Sequence, residues 1–291
     1  MSSDWKKEVL REVRKIEIKA RRITDQFFAG EYRSAFKGTG LSFAEVRPYQ
    51  YGDEVRNIDW KVTARTGDPY IKVFEEEREA SVIVVLDSSA SMFYGSGKKD
   101  KYRYAVELAA TIAYSAISAN DKVGLLVFNA AGHQLIPPGK VRPQLFKMIS
   151  KMVDAGKPEA GKTPLAEALE KLAGMRLRSN VCFIISDFQT TDYQKPLKLL
   201  GLKYDLTGMY IQDPAESKLP LKGKIFARDL ETGAPLVIDS RGKDGPGLNL
   251  NDAMVDMHQN IFNSAGAGFL RFNTNSSFVP VLLEFYKRRM R

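Results

Sequence analysis

Residues 81–92 read SVIVVLDSSASM, and the order of apolar and polar residues in this stretch decides the fold. Five consecutive apolar residues, 82–86, indicate a β-strand that is buried on both faces, as in the centre of a parallel sheet. Polar side chains follow as soon as the apolar run ends, at Asp87, Ser89 and Ser91. Because ligands of open parallel sheets bind beyond the carboxyl ends of the strands, the stretch predicts a polar site directly after this strand.

Strands and helices alternate through most of the chain after residue 81. Apolar runs predict further strands at residues 123–128, 181–186, 204–211 and 268–272. Apolar residues at helical spacing predict helices between them, at residues 104–119, 142–153, 193–200, 250–263 and 277–289, with one more beginning at Thr163. This alternation predicts an α/β fold that has a mostly parallel sheet with helices on both faces.

Three segments depart from the alternation. An apolar stripe predicts an N-terminal amphipathic helix, with Val9, Val13, Ile16, Ala20, Ile23 and Phe27 on one face. Residues 30–80 are rich in glycine, aromatic residues and arginine, which favours short strands and turns over a long helix. Two short apolar segments flank the turn DLETGAP and predict a hairpin between residues 225 and 238, inserted near residues 215–245. We therefore expect an N-terminal elaboration over residues 1–80 and the α/β domain over residues 81–291.

The composition excludes several classes of protein. One cysteine and two histidines exclude a disulfide scaffold and a multi-histidine zinc site. The net charge of +9 is concentrated at the two ends, so the body offers no basic groove and we expect no nucleic-acid partner. No apolar stretch is long enough to cross a membrane, and the first residues lack the apolar core of a secretory signal. We expect a cytoplasmic protein without stable membrane insertion.

Oxygen-bearing side chains are predicted to meet at one edge of the sheet. Asp87, Ser89 and Ser91 follow one apolar strand, and Asp187 follows the strand at 181–186. Thr163 approaches from a third loop, although its hydroxyl could serve only as the N-cap of the helix, with Pro164 in the first turn. Carboxylate and hydroxyl oxygens suit a hard cation, so these five residues predict a Mg²⁺ site.

These residues carry a family resemblance. DSSAS, Thr163 and Asp187, in this order on an alternating sheet, resemble the metal-ion-dependent adhesion site of von Willebrand factor A domains. The upstream segment RPYQYGDEVRNIDWKVTAR, residues 47–65, is similar to the bacterial domain of unknown function 58 family, as are GTGLSF before it and EEERE after it. The resemblance implies a von Willebrand factor A-like, Rossmann-like fold.

The resemblance also implies roles for the site residues. Ser89 and Ser91 would bind Mg²⁺ or another divalent cation directly, and Thr163 directly or through water. Asp87 and Asp187 would act mostly through water, and one open position would accept an acidic side chain of a client protein. The implied function is a non-catalytic interaction module that works with a MoxR-type AAA+ ATPase in chaperone-like maturation of other proteins.

Two positions depart from the pattern of many von Willebrand factor A domains. Phe188 stands where many of them have glycine, directly after the last aspartate of the site. Lys162 adds a positive charge beside the proposed cation, which would either weaken metal binding or help to attract an acidic ligand.

The segment from Arg47 to Arg65 invites a catalytic interpretation, but its residues fit a structural role. Gly52 and Asp53 suit a turn, and Asp59 would pair with Arg56 or Arg65. Trp60 would fill a space against the sheet. A surface for contact with another protein is the alternative interpretation of this segment.

A phosphate loop is the rival interpretation of the site. Gly156, Gly161, Lys162 and Thr163 match the pattern GxxxxGK[ST], and Asp187 could then hold the magnesium of an NTPase. However, residues 145–153 have helical periodicity where a phosphate loop requires a strand, and Pro158 removes an amide from the loop. The remaining nucleophile candidates are weaker, since Cys182 lies within a predicted core strand and His133 fits a turn or hairpin.

Overall fold

The computed structural model describes residues 3–27, 40–77, 80–155, 161, 164–175, 181–217, 224–228, 234–239 and 249–289. Its N-terminal elements are α1 Ser3–Phe27, β1 Gly40–Pro48, α2 Trp60–Thr66 and β2 Tyr70–Glu77. The strands that follow are β3 Ser81–Asp87, β4 Lys122–Asn129, β5 Gly132–Gly139, β6 Val181–Ser186, β7 Asp205–Gln212, β8 Lys224–Arg228, β9 Pro235–Asp239 and β10 Gly268–Asn273. The helices that follow are α3 Lys101–Ser118, α4 Arg142–Asp154, α5 Leu165–Gly174, α6 Gln194–Gly201, α7 Pro214–Ser217, α8 Asn249–Ser264 and α9 Val279–Arg289.

A six-stranded sheet forms the centre of the described structure, in the order β10-β7-β6-β3-β4-β5. Its strands pair in parallel except for β5, which runs antiparallel to β4. The path through this sheet begins at β3, continues to β4 and β5 on one side, and later returns to β6 on the other side of β3. The strand order therefore reverses between β3 and β6, and crevices at such reversals are where open α/β sheets bind ligands.

Helices cover both faces of this sheet, as alternate residues of β3 illustrate. Val82 and Val84 pack in a core with residues of α1, α3, α4 and α9. Ile83 and Val85 pack in a second core with residues of α5, α6 and α8. The predicted α/β architecture is therefore confirmed, with a mostly parallel sheet between two helical layers.

The N-terminal helix packs against α3 through its apolar stripe and a buried polar contact. Ala20 is buried in the core, and the Thr24 and Ser115 hydroxyl groups lie 3.0 Å apart. Phe27, at the end of the predicted stripe, is 37% exposed. The amphipathic helix is thus confirmed as a packing element of the α/β layer.

Two small sheets lie outside the central one. Strands β1 and β2 pair antiparallel, in agreement with the short strands predicted for residues 30–80. Strands β8 and β9 form the predicted hairpin, in which Phe226 pairs with Val237. Both of these side chains are largely exposed, so they lie outside the main cores.

Strand β5 was not predicted, although the sequence did indicate a turn or hairpin at His133. It carries Pro137 and Pro138, which are tolerated because β5 lies at the edge of the sheet. Within the described residues, no helix is both long enough and apolar enough to span a lipid bilayer.

Candidate metal-binding site

Asp87 lies at the carboxyl end of β3 and is completely buried. Its carboxylate accepts a hydrogen bond from the Ser89 backbone N–H at 2.8 Å and another from the Ser186 hydroxyl at 2.6 Å. The first bond closes the turn after β3, and the second joins β3 to β6. The side chain is therefore held at the point where the strand order reverses.

A chain of hydroxyl groups connects this turn to the loop after β6. The hydroxyl oxygens of Ser89 and Ser91 are 3.1 Å apart, and the Ser91 hydroxyl donates to Asp187 Oδ1 at 3.2 Å. Asp187 is 1% exposed. Four of the five predicted site residues are thus brought together by two loops that are almost a hundred residues apart in the sequence.

Thr163, the fifth site residue, lies outside the described residues, as does Lys162. The adjacent Gly161 passes so close to the turn after β4 that a Cβ built on it would be 2.6 Å from Ala130 Cβ. Gly161 therefore lies near the carboxyl edge of the sheet, since Ala130 directly follows β4. The helix start differs by one residue from the prediction, since Pro164 itself occupies the N-cap position of α5. A proline fits there because the N-cap N–H has no partner within the helix.

Lys101 is a charged member of the site that the sequence analysis missed. It is the first residue of α3 and is 1% exposed. Its ammonium group contacts Asp187 Oδ2 at 2.6 Å and also pairs with Glu216 on α7. The one available signal was a lysine at the start of an apolar helix, which is too common a pattern to indicate burial.

The site carries an excess of negative charge when its acids are ionised. Among the described residues, the site has three carboxylates, of Asp87, Asp187 and Glu216, and one ammonium, of Lys101, which leaves a net charge of −2. Burial and the charge of Asp187 raise the pKa of Asp87 to about 7, although hydrogen bonds from Ser186 and Ser89 oppose the shift. Burial by itself would lower the pKa of Lys101, but the charges of Asp187 and Glu216 raise it.

This donor set fits a divalent cation. Its oxygens come from hydroxyl and carboxylate groups, which are the ligands that Mg²⁺ prefers, and the net charge of −2 would be neutralised by one such ion. Among the described residues, no group of three or more histidine, cysteine, aspartate or glutamate side chains is arranged to hold a metal. A cation would therefore depend on the serine hydroxyls as much as on the two aspartates.

Phe188 adopts a backbone conformation that usually favours glycine. Its φ is +47°, in the left-handed region, and its N–H donates to the Ser186 hydroxyl at 2.8 Å. The side chain is 1% exposed and packs edge-on against Phe262, with ring centroids 5.2 Å apart. Burial of the aromatic ring offsets the cost of the backbone conformation, which explains how phenylalanine is accommodated here.

A buried tyrosine–histidine pair lies behind Phe188. Tyr193 Oη and His258 Nδ1 are 2.7 Å apart, and His258 is completely buried. Burial lowers the pKa of His258, although the charge of Asp187 opposes the shift. The pair fills the core between α6 and α8 and was not indicated by the sequence.

The segment from Arg47 to Arg65 forms turns and caps, as predicted, but the predicted ion pair between Asp59 and a nearby arginine is not formed. Arg47 binds Asp53 through two hydrogen bonds of 2.8 Å, and Gly52 has a φ of +104° in the turn between them. Asp59 pairs with neither predicted arginine, because its carboxylate caps α2 by accepting the N–H groups of Lys61 and Val62.

The prediction for Trp60 was also wrong. Its side chain is 68% exposed, so it does not fill a space against the sheet. The reason is local, since Trp60 is the first residue of α2, directly after the N-cap Asp59, and this short helix has no buried residue.

In the part of the chain that the structure describes, the residues before Gly156 do not have the context expected of a phosphate loop. The preceding element is α4 Arg142–Asp154, a helix, whereas a phosphate loop directly follows a strand. Cys182 is completely buried in β6, and burial raises the pKa of its thiol, as expected for an inert packing residue.

Comparison with known families gives a match over most of the chain. A family model described as "Protein of unknown function DUF58" matches residues 45–244. Uncharacterized proteins of Mycobacterium tuberculosis (Rv1480) and Mycobacterium bovis (Mb1516) are each 27% identical over 283 residues, which cover 96% of this chain and 89% of each relative. An uncharacterized protein of Mycobacterium avium is 28% identical over 130 residues, or 44% of this chain and 76% of that protein.

Similar solved structures include the conserved hypothetical protein BatB from Bacteroides thetaiotaomicron. It has 16% identity and a TM-score of 0.47, and the match covers 72% of this chain and 97% of that one. The SpRpn10 VWA domain has 10% identity and a TM-score of 0.41, with 71% of this chain and 93% of that one covered.

Proposed function

Because the chain belongs to the DUF58 family of proteins of unknown function, and its candidate site joins acids to hydroxyls, we propose that it is a metal-dependent protein-interaction module. The observation that carries the proposal is the hydroxyl chain from Ser89 through Ser91 to Asp187. These hydroxyl groups gather neutral and anionic oxygens from two loops at the reversal of strand order, and Ser91 is the partly exposed member of the set.

The proposed cation is Mg²⁺ or a similar divalent ion. Ser89 and Ser91 would hold it directly, and Asp87 and Asp187 would hold it mostly through water, with Thr163 as a further ligand. The ion would supply a positive charge that an acidic side chain of a client protein can bind. No catalytic step is part of this proposal, since a cation held for adhesion needs no nucleophile or general base.

The proposed partner is a MoxR-type AAA+ ATPase, in the cytoplasm, acting together with this chain in the maturation of client proteins. Support for this partner comes from the family resemblance. The test is co-purification of the ATPase with the tagged chain, and failure to recover it under any metal condition would contradict this part of the proposal.

The metal dependence is tested by affinity capture from lysate with Mg²⁺ and with EDTA. We expect a set of bound proteins that is present with Mg²⁺, absent with EDTA and absent for the double variant Ser89→Ala/Ser91→Ala. Ser88→Ala is the matched control, because the Ser88 hydroxyl donates to the Phe128 carbonyl at 3.0 Å and takes no part in the chain. An identical set of bound proteins in all conditions would contradict the proposal.

An NTPase that uses Lys162, Thr163 and Asp187 is the second candidate. It is favoured by the match of residues 156–163 to the phosphate-loop pattern, and opposed by the helix that precedes them. Binding of ATP that is lost in Lys162→Ala would favour this candidate over the interaction module.

A further inference from the structure

Lys101 places a buried ammonium group at the candidate metal site, and the proposed function assigns it no role. The residue is 1% exposed, and its backbone is fixed at the start of α3, where its N–H donates to the Tyr94 carbonyl at 3.0 Å. Asp100 caps the same turn of the helix by accepting the Arg103 N–H at 2.6 Å. An ammonium that is held away from water in this way requires anionic partners.

Asp187 is shared between this ammonium and the serine hydroxyl groups. Its Oδ2 atom contacts the Lys101 ammonium at 2.6 Å, and its Oδ1 atom accepts the Ser91 hydroxyl at 3.2 Å. A cation bound by Ser91 would therefore share one carboxylate with the lysine. The two positive charges would repel each other with little screening, because Asp187 is only 1% exposed.

Glu216 is a fixed partner of Lys101 rather than a loose surface ion pair. One of its carboxylate oxygens pairs with the ammonium, and the other accepts the Asp213 N–H at 2.9 Å. The buried Asp213 carboxylate in turn accepts the Ser96 N–H at 3.0 Å and the Thr274 hydroxyl at 2.8 Å. Glu216 is thus anchored directly after β7, and its charge helps to hold the ammonium at the site.

Lys101 remains charged at neutral pH. Burial by itself lowers its pKa, but the charges of Asp187 and Glu216, and hydrogen bonds to both, raise the pKa above the ordinary value for lysine. Among the described residues, the ammonium therefore reduces the net charge of the three carboxylates, Asp87, Asp187 and Glu216, from −3 to −2. One divalent ion would neutralise the remainder, beside a positive charge that is already in place.

We propose that Lys101 sets the affinity of the candidate site for its cation, as a built-in positive charge that competes with the metal for Asp187. This inference rests on the proposed metal site. Lys101 weakens the hold on the ion and so keeps its binding reversible. Glu216 acts in the opposite sense, because its negative charge draws the ammonium toward itself and adds to the attraction for the metal.

The same positive charge favours an acidic partner. With Lys101 present, one divalent ion brings the net charge of the described site groups to zero, so the carboxylate of a client protein meets a neutral site. Without Lys101, three carboxylates and one divalent ion would leave a charge of −1, which repels that carboxylate. Lys101 therefore trades affinity for the ion against affinity for an acidic side chain.

The test is titration with Mn²⁺, followed by the EPR signal of the free ion, with Mg²⁺ as the competing ion. We expect Lys101→Met to bind Mn²⁺ at least about tenfold more tightly than wild type, because a nearby positive charge is removed. Glu216→Gln should bind about tenfold more weakly, since it loses a negative charge and keeps its shape. Lys98→Met is the matched control, because Lys98 is exposed in the preceding loop and the same change of charge there should leave the affinity unchanged.

The double variant Lys101→Met/Glu216→Gln separates an effect of charge from an effect on folding. It removes one charge of each sign, so we expect an affinity for Mn²⁺ close to that of wild type, whereas structural damage would make two losses add. Circular dichroism checks that each variant is folded. If Lys101→Met alone does not fold, the double variant must still bind Mn²⁺ more tightly than Glu216→Gln.

The outcomes distinguish this inference from the proposed function. Binding of Mn²⁺ by wild type, with equal or weaker binding by folded Lys101→Met, would overturn the inference alone. A double variant that binds no more tightly than Glu216→Gln would overturn it as well. If neither wild type nor any variant binds Mn²⁺, the proposed metal site fails together with the inference.

Discussion

The candidate metal site and the segment from Arg47 to Arg65 use the same kinds of residue in opposite surroundings. At the site, Asp87 and Asp187 are at most 1% exposed, and their hydrogen bonds join loops that are distant in the sequence. In the segment, the carboxylates of Asp53 and Asp59 accept hydrogen bonds only from residues within six positions of themselves, and Asp59 adds a looser ion pair of 3.8 Å with Lys72. A carboxylate removed from water requires specific partners, whereas one at the surface can simply shape a turn. The difference between the regions is therefore one of burial.

Replacing Lys101 with methionine should give the largest change in stability. The variant leaves the carboxylates of Asp187 and Glu216 without their counter-charge, so we expect a loss of about 3–5 kcal/mol in the free energy of unfolding. Urea denaturation measures it, with the exposed Lys195→Met as a control that should change by less than ~0.5 kcal/mol. Millimolar Mg²⁺ should restore part of the loss, and a loss that is indifferent to Mg²⁺ would argue against a cation at this site.

Phe188→Gly should give the second-largest loss of stability. Loss of a buried phenylalanine side chain costs about 3–5 kcal/mol, and relief of the left-handed backbone returns ~1 kcal/mol. We expect a net loss of about 2–4 kcal/mol in thermal or urea unfolding. Asn120→Gly is the matched control, because Asn120 has a φ of +68° and is exposed, so it should be neutral or slightly stabilising. A stabilised Phe188→Gly variant would show that backbone strain outweighs aromatic packing.

The pH dependence of stability should reveal the buried charge of Asp87. The pKa of its carboxyl is raised from 3.8 to about 7 in the folded protein, so the folded state binds the proton more tightly than the unfolded chain. The free energy of unfolding should therefore fall as the pH rises from about 4 to about 7. Asp87→Asn removes this titration, and its stability relative to wild type should increase by about 3 kcal/mol across that window.

Two results would test whether Asp87 causes this pH dependence of the free energy of unfolding. Mg²⁺ should flatten the wild-type profile between about pH 4 and pH 7, because a bound cation favours the ionised carboxyl and so lowers its pKa in the folded protein. Parallel profiles for wild type and Asp87→Asn, measured by urea unfolding at each pH, would show that Asp87 is not the group responsible.

Trp60→Ser should have the smallest effect on stability. The side chain is 68% exposed, so we expect a change within ~0.5 kcal/mol in urea unfolding. Ile71→Ala, on the neighbouring strand β2, removes a side chain that is 5% exposed and should cost about 2 kcal/mol or more. If Trp60→Ser instead proved as costly as Ile71→Ala, the contrast between the two regions would fail.

Most of the fold could be predicted because its signals are local. Unbroken apolar runs such as 82–86 and 181–185 report strands that are buried on both faces, and helical spacing of apolar residues reports the helices between them. Strand β5 was missed because its prolines and exposed polar residues lack the pattern of a core strand. It is held in place by pairing with β4, which the sequence of β5 alone does not report.

The candidate site was only partly predictable. Asp87 stood out because it directly follows an apolar run, Ser89 and Ser91 because they alternate with it in the turn, and Asp187 because it ends a second apolar strand at an edge that parallel strands share. Ser186 and Glu216 were missed, since their partners are chosen by the pairing of strands and by the position of α7. The prediction that Trp60 is buried failed because its residue type indicates burial while its place at the exposed start of α2 prevents it.

The sequence alone determined which strands lie in the core and which oxygens stand at their carboxyl ends, because both follow from the order of neighbouring residues. Tertiary structure alone decided that Lys101 neutralises Asp187 and that Tyr104 is left without a hydrogen-bond partner. The reason is that burial and charge pairing depend on distances between segments, and those distances are set only when the sheet and its helices pack together.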